Sequence, residues 1–396
     1  MRILHVVEAT EAGVGRHVLD LAEGLLSRGH DVHLAYSRRR ADGFFRDRVS
    51  RLVGLHTWTI DLRRGPHLTD LTAVHTIRKG IRIRGPFDIV HGHSSKGGAI
   101  ARLSGLAAGV PAVYTPNAIR TMDPTASALT RYAVGWAERL LSRVNGLVIA
   151  VSATEAEHLS RLGIPRQRLR LVPNGINEVT LPSREEARSA LGLPPEAAVI
   201  GFVGRLATQK APEVLVSAFA QVSRSHPGAL LAVVGEGVLR PRLQRTCEEL
   251  ELQQRVRWLG ERNGQHAMPA FDVLVLPSRY EGLSLVLLEA LVAGLPIVVT
   301  EQANAGLVVD PDVNGLVVPV DDPDALAEAI SRLLANDAER FELGRASRLR
   351  APYFSQSRMV EETERIYCEV VANGGDDGGK ANTLGKAMSL VTEWVS

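Results

Sequence analysis

The chain has 396 residues, 46 Lys and Arg against 44 Asp and Glu, and two cysteines, Cys247 and Cys368, far apart. This length leaves room for two or three domains with cores of their own, and the composition excludes a disordered, disulfide-framed or zinc-clustered chain. The longest apolar run, 285–300, is broken by Glu289, Gly294 and Pro296, so no membrane span is expected, and no nucleic-acid partner either. A strand pattern opens the sequence at 2–9 with no signal peptide ahead of it, which predicts a reducing, cytoplasmic setting. The net charge of +2 hides an asymmetry: residues 1–180 hold 25 Lys/Arg and 15 Asp/Glu, whereas 181–396 hold 21 and 29. Two oppositely charged halves predict two domains facing different partners.

In chain order, short Val, Ile and Leu runs bounded by Gly and Pro predict buried parallel strands at 3–8, 32–36, 89–91, 112–114, 147–151 and 169–172. Helical stretches such as 17–27 and 126–142 lie between them. After a break at Pro173-Asn174-Gly175 the pattern resumes, with strands at 199–203, 230–234, 256–259, 273–275, 297–300 and 316–318. Each half opens alike. The first strand leads through Glu11-Ala-Gly13-Val-Gly15-Arg16 into a helix, and 199–203 leads through Gly204-Arg205-Leu-Ala-Thr-Gln-Lys210 into another. The alternation predicts an α/β fold of two tandem Rossmann-like parallel-sheet domains, 1–175 and 176–355. A last helix at 358–371, in a 356–373 segment expected to pack back on the first domain, precedes a Gly/Asp/Lys-rich tail. That tail, 374–396, is expected to be disordered apart from a short helix near 390–394.

The stretch Glu281-Gly282-Leu283-Ser284-Leu285-Val-Leu-Leu-Glu289-Ala290 places two carboxylates eight positions apart. Glu281 falls in a loop after an apolar strand, Ser284 is a residue type that caps helices, and 285–292 reads as a helix with Glu289 just over one turn in. Two carboxylates beside the free N–H groups of a helix N-terminus suit a ligand carrying both hydroxyls and phosphates. Arg205 and Lys210 would supply cations for those phosphates. Each is worth about 4 kcal/mol of Coulomb energy at about 4 Å and an effective dielectric near 20, before desolvation. Gly13 and Gly15 stand where the first strand turns into its helix and let backbone N–H groups approach an anion. Val18, however, takes the place of a third dinucleotide glycine, and Tyr36-Ser37-Arg38 follows the second strand without an acidic end. A nicotinamide or flavin enzyme is therefore disfavoured. His91-Gly-His93 follows a first-half strand, and the alternation of side chains along a strand is read as separating the pair, against a two-histidine metal site. Asp310-Pro-Asp312 and Asp322-Pro-Asp324 spell Asp-x-Asp but read as turn and cap sequences, the second before a helix at 325–334. Each signal has a bland counterpart: a solvated loop glutamate, a pair of surface cations, a structural tight turn.

Together these residues resemble the Glu-x7-Glu motif and the phosphate-binding Arg/Lys pair of retaining, nucleotide-sugar-dependent glycosyltransferases with the GT-B fold (family 4-like, group 1). The similarity extends over nearly the whole chain. Val234-Gly235-Glu-Gly237 is similar to the family's glycine turn in the nucleotide domain, Val172-Pro-Asn174-Gly175 to its interdomain linker, and Asn314-Gly315 to its late turn. The resemblance implies two Rossmann-like domains facing a cleft, the acceptor on the first and a nucleotide diphosphate sugar, UDP-linked, on the second. It implies that Arg205 and Lys210 neutralise the leaving diphosphate, that Glu281 holds sugar hydroxyls and that Glu289 holds the ribose. Gly13, Gly15, Gly204, Gly235, Gly282, Leu283, Ser284 and Leu285 would complete the donor site, with Arg16, His91 and His93 on the acceptor side. Retention in this family is explained by front-face attack, the departing phosphate taking the acceptor proton. No cofactor or metal is implied, and the expected product is a cell-surface polysaccharide or glycolipid.

Two positions depart from the family pattern. Asn117, in Tyr114-Thr-Pro116-Asn117-Ala, stands where the family usually carries a His that contacts the donor sugar; it can hydrogen-bond but not titrate near neutral pH. Leu307, in Glu301-Gln-Ala-Asn304-Ala-Gly306-Leu307, stands where the family commonly has Glu, and the usual double glycine is missing. A sugar-nucleotide epimerase, a phosphorylase-like enzyme and a two-lobed sugar-binding protein remain open on the same architecture. Finally, the clusters Arg38-Arg39-Arg40, Arg63-Arg64 and Arg78-Lys79 with Arg82 and Arg84 predict docking of the first domain on an anionic membrane surface, where a lipid-linked acceptor would be found. Solvated arginines, or an anionic soluble acceptor, are the alternatives.

Overall fold

The structure, a computed structural model, describes residues 1–373 except Arg64, Pro66, Leu68, Asn145, Glu178 and 305–307. The expectations for Leu307, Arg64 and the tail at 374–396 lie outside the described residues. The described chain forms two compact units, Met1–Gly175 with Gln356–Asn373, and Ile176–Ser355.

In the first unit the strands β1 (Arg2–Val7), β2 (Asp31–Ser37), β3 (His56–Ile60), β4 (Ile89–His93), β5 (Ala112–Thr115), β6 (Leu147–Ala150) and β7 (Leu169–Leu171) lie in the order β3-β2-β1-β4-β5-β6-β7. Every pairing is parallel. The connecting helices are α1 (Ala12–Ser27), α2 (Gly43–Arg51), α3 (Thr69–Arg84), α4 (Ser94–Ala108), α5 (Ala128–Val144) and α6 (Ala153–Arg161). Side-chain alternation divides the core between the two faces of this sheet. Ile3, Val32, Ile89 and Val113 pack with Leu21 and Leu25 of α1 and with Met359 and Tyr367 of the C-terminal helix Gln356–Asn373. Leu4, Val6, Ala35 and Val90 pack with Ile77 and Ile81 of α3 and Ile100 of α4. β3 has no counterpart among the expected strands. Its His-Thr-Trp-Thr-Ile turns Trp58 and Ile60 inward and exposes both threonines, the half-covered pattern of an edge strand rather than an unbroken apolar run.

The second unit opens with α7 (Arg184–Leu191), whose start is a capping box formed by Ser183 and Glu186. Its strands β8 (Val199–Val203), β9 (Leu230–Val234), β10 (Val256–Gly260), β11 (Val273–Leu276), β12 (Ile297–Thr300) and β13 (Gly315–Val318) lie in the order β10-β9-β8-β11-β12-β13, again all parallel. They alternate with α8 (Pro212–Ser225), α9 (Arg240–Glu249), α10 (Gly264–Ala267), α11 (Leu285–Ala293), α12 (Glu301–Asn304), α13 (Pro323–Ala335) and α14 (Asp337–Arg350); the helix Gln356–Asn373 of the first unit is α15. Both sheets reverse direction of progress once, between β1 and β4 in the first unit and between β8 and β11 in the second. The loops leaving those neighbouring strands diverge to opposite faces and open a crevice at the C-terminal edge, the usual place for a ligand in such sheets.

Candidate functional site

At the reversal point of the second unit, the loops after β8, β9 and β11 meet. Gly235, at φ +133°, follows β9, and a Cβ there would collide with the carbonyl of Gly204, so only glycine lets these two loops cross so closely. The β8 loop runs through Arg205 to a single 3-10 turn, Thr208–Lys210; Ala211 then takes a left-handed conformation and Pro212 starts α8. This geometry delivers Lys210 to Glu281, with Nζ 2.6 Å from Oε1 and both side chains mostly buried. The two loops are laced together. The Arg279 N–H donates to the Gln209 carbonyl (2.8 Å), and Gln209 Nε2 donates to the Tyr280 carbonyl (3.1 Å). The Arg279 guanidinium binds the Thr208 carbonyl (2.7 Å), Glu213 (2.8 Å) and Asp321 (2.7 Å). Sequence reasoning passed over Arg279 and Gln209, although Gln209 adjoins Lys210 and Arg279 stands two residues before Glu281.

Glu281, Gly282, Leu283, Ser284 and Leu285 are all buried. Ser284 occupies the N-cap place of α11, but its side chain makes no capping hydrogen bond, which corrects its expected part. Glu289 is buried within an otherwise apolar helix. Its carboxylate lies against Gly264, where a Cβ would come within 2.8 Å of Oε2. Arg205, expected beside Lys210, is exposed and takes part in no ion pair among the described residues. The site thus offers one exposed cation, one cation held by a carboxylate, a second carboxylate and a helix start that Ser284 leaves uncapped. An anion could exchange with Glu281 as the partner of Lys210, and the carboxylates would then accept hydrogen bonds from hydroxyls.

The crevice of the first unit is built differently. α1 begins at Ala12, so Gly13 and Gly15 lie in its first turn and Arg16 just beyond it, not in a loop before a helix at 17. Gly15 is required there, since a Cβ would strike the Thr10 carbonyl, whereas at Gly13 the space is open. Arg16 Nε is 3.7 Å from Asp20, which Arg48 also binds at 2.5 Å. The expectation that His91 and His93 face apart is wrong: residues two apart on a strand share a face. Their rings lie 4.1 Å apart, His5 of β1 pairs opposite His91, and all three are fully buried instead of lining an open crevice. His5 Nδ1 is 3.0 Å from His93 Nε2, and His91 is 2.6 Å from the Tyr367 hydroxyl and 2.8 Å from Thr115 Oγ1. Burial lowers the pKa of His5 to about 3 and that of the neighbouring His17 to about 4, and pushes His91 and His93 well below the ordinary imidazole value.

Asn117 and Ala118 both take left-handed conformations, at φ 55° and 73°. Glu155 holds this turn: its carboxylate accepts from the N–H groups of Ala118 (2.8 Å), Ile119 (3.2 Å) and Val151 (2.9 Å). Burial pushes the Glu155 carboxyl up, and those three donors pull it back. The signal for Glu155 was present in Ser152-Ala-Thr-Glu155, a helix-start pattern with Ser152 capping α6.

Among the described residues, two side-chain groups have ligand atoms close enough for a metal. In His5, His91 and His93 both nitrogens of His91 are already engaged. In Asp31, His33 and His56 the Arg2 guanidinium lies 2.9 Å from Asp31 and 3.3 Å from His33, where a cation would sit. Neither Asp-x-Asp sequence resembles a metal site. Asp322 caps α13 by accepting from Asp324 and Ala325, and Asp312 in its turn pairs with Arg332 at 2.9 Å. Of the basic clusters, Arg39 pairs with Asp61, and Arg40 with Glu8 and Glu11.

Residues 12–179 match the family described as Glycosyltransferase Family 4, and 183–350 that described as Glycosyl transferases group 1. The chain is similar to the D-inositol 3-phosphate glycosyltransferase of Saccharomonospora viridis, at 32% identity over 73% of this chain and 71% of that one. It is also similar, at 26% identity, to the UDP-Gal:alpha-D-GlcNAc-diphosphoundecaprenol alpha-1,3-galactosyltransferase of Escherichia coli, over 72% and 76% of the two chains. The crystal structure of Anabaena HepE in complex with UDP and glucose has the same fold, with a TM-score of 0.80 at 20% identity, over 93% of this chain and 100% of that one.

Proposed function

We propose, from the premise that this chain belongs to the group 1, family 4 glycosyltransferases, that it moves a hexose-type sugar from a UDP-linked donor to a saccharide or lipid-linked acceptor, with retention at the anomeric carbon. The observation that carries this reading is the Lys210–Glu281 pair at the β8/β11 reversal point, beside the buried Glu289. The donor diphosphate replaces Glu281 as the partner of Lys210 and takes Arg205 as a second cation. Glu281, released, accepts hydrogen bonds from sugar hydroxyls, while Glu289 accepts from the ribose. The anomeric carbon–oxygen bond to phosphate breaks, the acceptor oxygen bonds to that carbon on the same face, and the acceptor proton passes to the departing phosphate oxygen. Lys210 and Arg205 stabilise the charge that builds on that phosphate, so no metal is needed. The backbones of Gly204, Gly235 and Gly282–Leu285 border the nucleotide. The first unit takes the acceptor, with Gly13, Gly15 and Arg16 at its crevice.

UDP is supported by the names of the Escherichia coli and Anabaena proteins, and a lipid-linked acceptor by the former. An anionic polyol in solution is a second acceptor reading, supported by the name of the Saccharomonospora viridis relative. A lipid-linked acceptor would bring the first unit to an anionic membrane surface, at the inner face of the plasma membrane in a cytoplasmic protein; the exposed Lys79, Arg82 and Arg84 of α3 favour such contact. A thermal-shift panel of nucleoside diphosphates tests the donor assignment. UDP at 100 times its Kd should add about 2.7 kcal/mol of stability. A shift with free sugar and none with any nucleoside diphosphate would overturn the reading in favour of a sugar-binding protein.

A further inference from the structure

α5 is amphipathic with its polarity reversed. Its inward face carries Glu138 and Ser142, both buried, and Glu138 accepts hydrogen bonds from Arg102 (2.7 Å) and Tyr114 (3.0 Å). Its outward face carries Leu129, Tyr132 and Trp136, exposed by 76%, 73% and 43%. Spacings of three and four residues align these along one side of the helix. Arg139 and Arg143 continue the same line toward the C-terminal end, and both are exposed. The helix has one carboxylate, Glu138, and it points inward, so every charge on the outer side is positive. Single exposed apolar residues are ordinary, but three large ones in line, bordered by arginines, mark a surface that meets something.

We propose that this face of α5 docks the first unit on an anionic phospholipid bilayer, with Leu129, Tyr132 and Trp136 entering the interface and Arg139 and Arg143 meeting the headgroups. The inference rests on the membrane-borne acceptor of the preceding reading and assigns its docking element. Tyr and Trp rings suit the headgroup boundary, and arginine suits its negative charge. No described helix is long and apolar enough to cross a membrane, so the helix lies on the bilayer. Its apolar half, from Leu129 to Trp136, extends about 10 Å at roughly 1.5 Å per residue. α5 follows β5 through the Asn117 turn, so its apolar first turns start from the strand edge that carries Asn117 and Gly15. Contact there brings a lipid-borne hydroxyl to the crevice of this unit.

The test uses the full chain with vesicles of phosphatidylcholine alone or mixed with phosphatidylglycerol, at low and high salt. Co-sedimentation with the mixed vesicles at low salt is expected, together with quenching of Trp136 fluorescence by brominated lipid that is absent in Trp136→Phe. The triple variant Leu129→Gln, Tyr132→Gln, Trp136→Gln should weaken vesicle binding on the order of tenfold or more while its thermal shift with UDP is retained. Undiminished binding by the triple variant overturns the assignment of α5 and leaves the membrane reading standing. No vesicle binding by the wild type overturns both. A concentration-dependent dimer in light scattering that the triple variant dissolves would assign the face to a second copy of the chain and overturn the proposal.

Discussion

The two sheets share a strand order and put opposite chemistry at their reversal points. Between β8 and β11 the second unit holds an ion pair, Lys210 with Glu281, that keeps some exposure and can exchange partners. Between β1 and β4 the first unit holds His5, His91 and His93 with His17 nearby, fully buried and without a carboxylate among their hydrogen-bond partners among the described residues. Burial therefore strips those imidazoles of charge. Topology makes a crevice in both units, and burial with pairing decides whether the groups there act on a ligand or hold the fold. In the first unit they hold the fold: His91 ties β4 to Tyr367 of α15, a helix about 270 residues later in the chain.

The comparison can be broken most sharply at Lys210. Lys210→Ala should lower turnover on the order of 10²–10³-fold, the usual cost of removing a preorganised charge; initial rates with a UDP-sugar near the wild-type value would remove Lys210 from the chemistry. Glu289→Ala should weaken UDP binding by roughly 10–100-fold by calorimetry, as expected for a lost hydrogen bond to a charged group, whereas Glu281→Ala should damage transfer while UDP still binds. Unchanged UDP affinity in Glu289→Ala would detach Glu289 from the ribose.

The opposite signature is expected in the first unit. His91→Ala should cost about 1–3 kcal/mol in urea unfolding, because it strands the Tyr367 and Thr115 hydroxyls, and should leave UDP affinity unchanged. The same histidines set a pH dependence. Their folded pKa values, about 3 for His5 and about 4 for His17, lie below the ordinary 6.5, so below pH 6.5 the unfolded chain binds protons that the folded chain refuses. Stability is full above 6.5 and falls as pH drops toward 4, by up to about 1.4 kcal/mol per pH unit for each such histidine. A urea midpoint flat between pH 7 and 5 would contradict the neutral cluster. The smallest effect is expected from a chelator, which should leave initial rates unchanged; complete loss restored by magnesium or manganese would overturn the metal-free reading.

Local pattern made much of this molecule legible. Apolar runs located β8, β9 and β12 to the residue, since a strand covered on both faces must be apolar throughout. The half-covered edge strand β3 escaped, because its alternating Thr and Trp58 carry a weaker signal. The site divides in the same way. Glu281 and Glu289 are read from one ten-residue segment because a strand, a loop and a helix start are contiguous there, and the glycines at 204 and 235 announce tight loops. That Lys210 reaches Glu281, 71 residues away, and that Arg279 laces their loops, followed only from β8 and β11 lying side by side. His5, paired with His93 across 88 residues, was likewise invisible until the sheet was assembled, and so was the clamp that Glu155 places on the Asn117 turn, although its helix-start pattern was local.

The sequence by itself determined the element types, the parallel α/β architecture and the motif that marks the second unit, because backbone preference and apolar period are local properties. Tertiary structure alone decided which charges are paired, which histidines are neutral and which face of α5 meets solvent, because each depends on burial and on partners that distant segments bring.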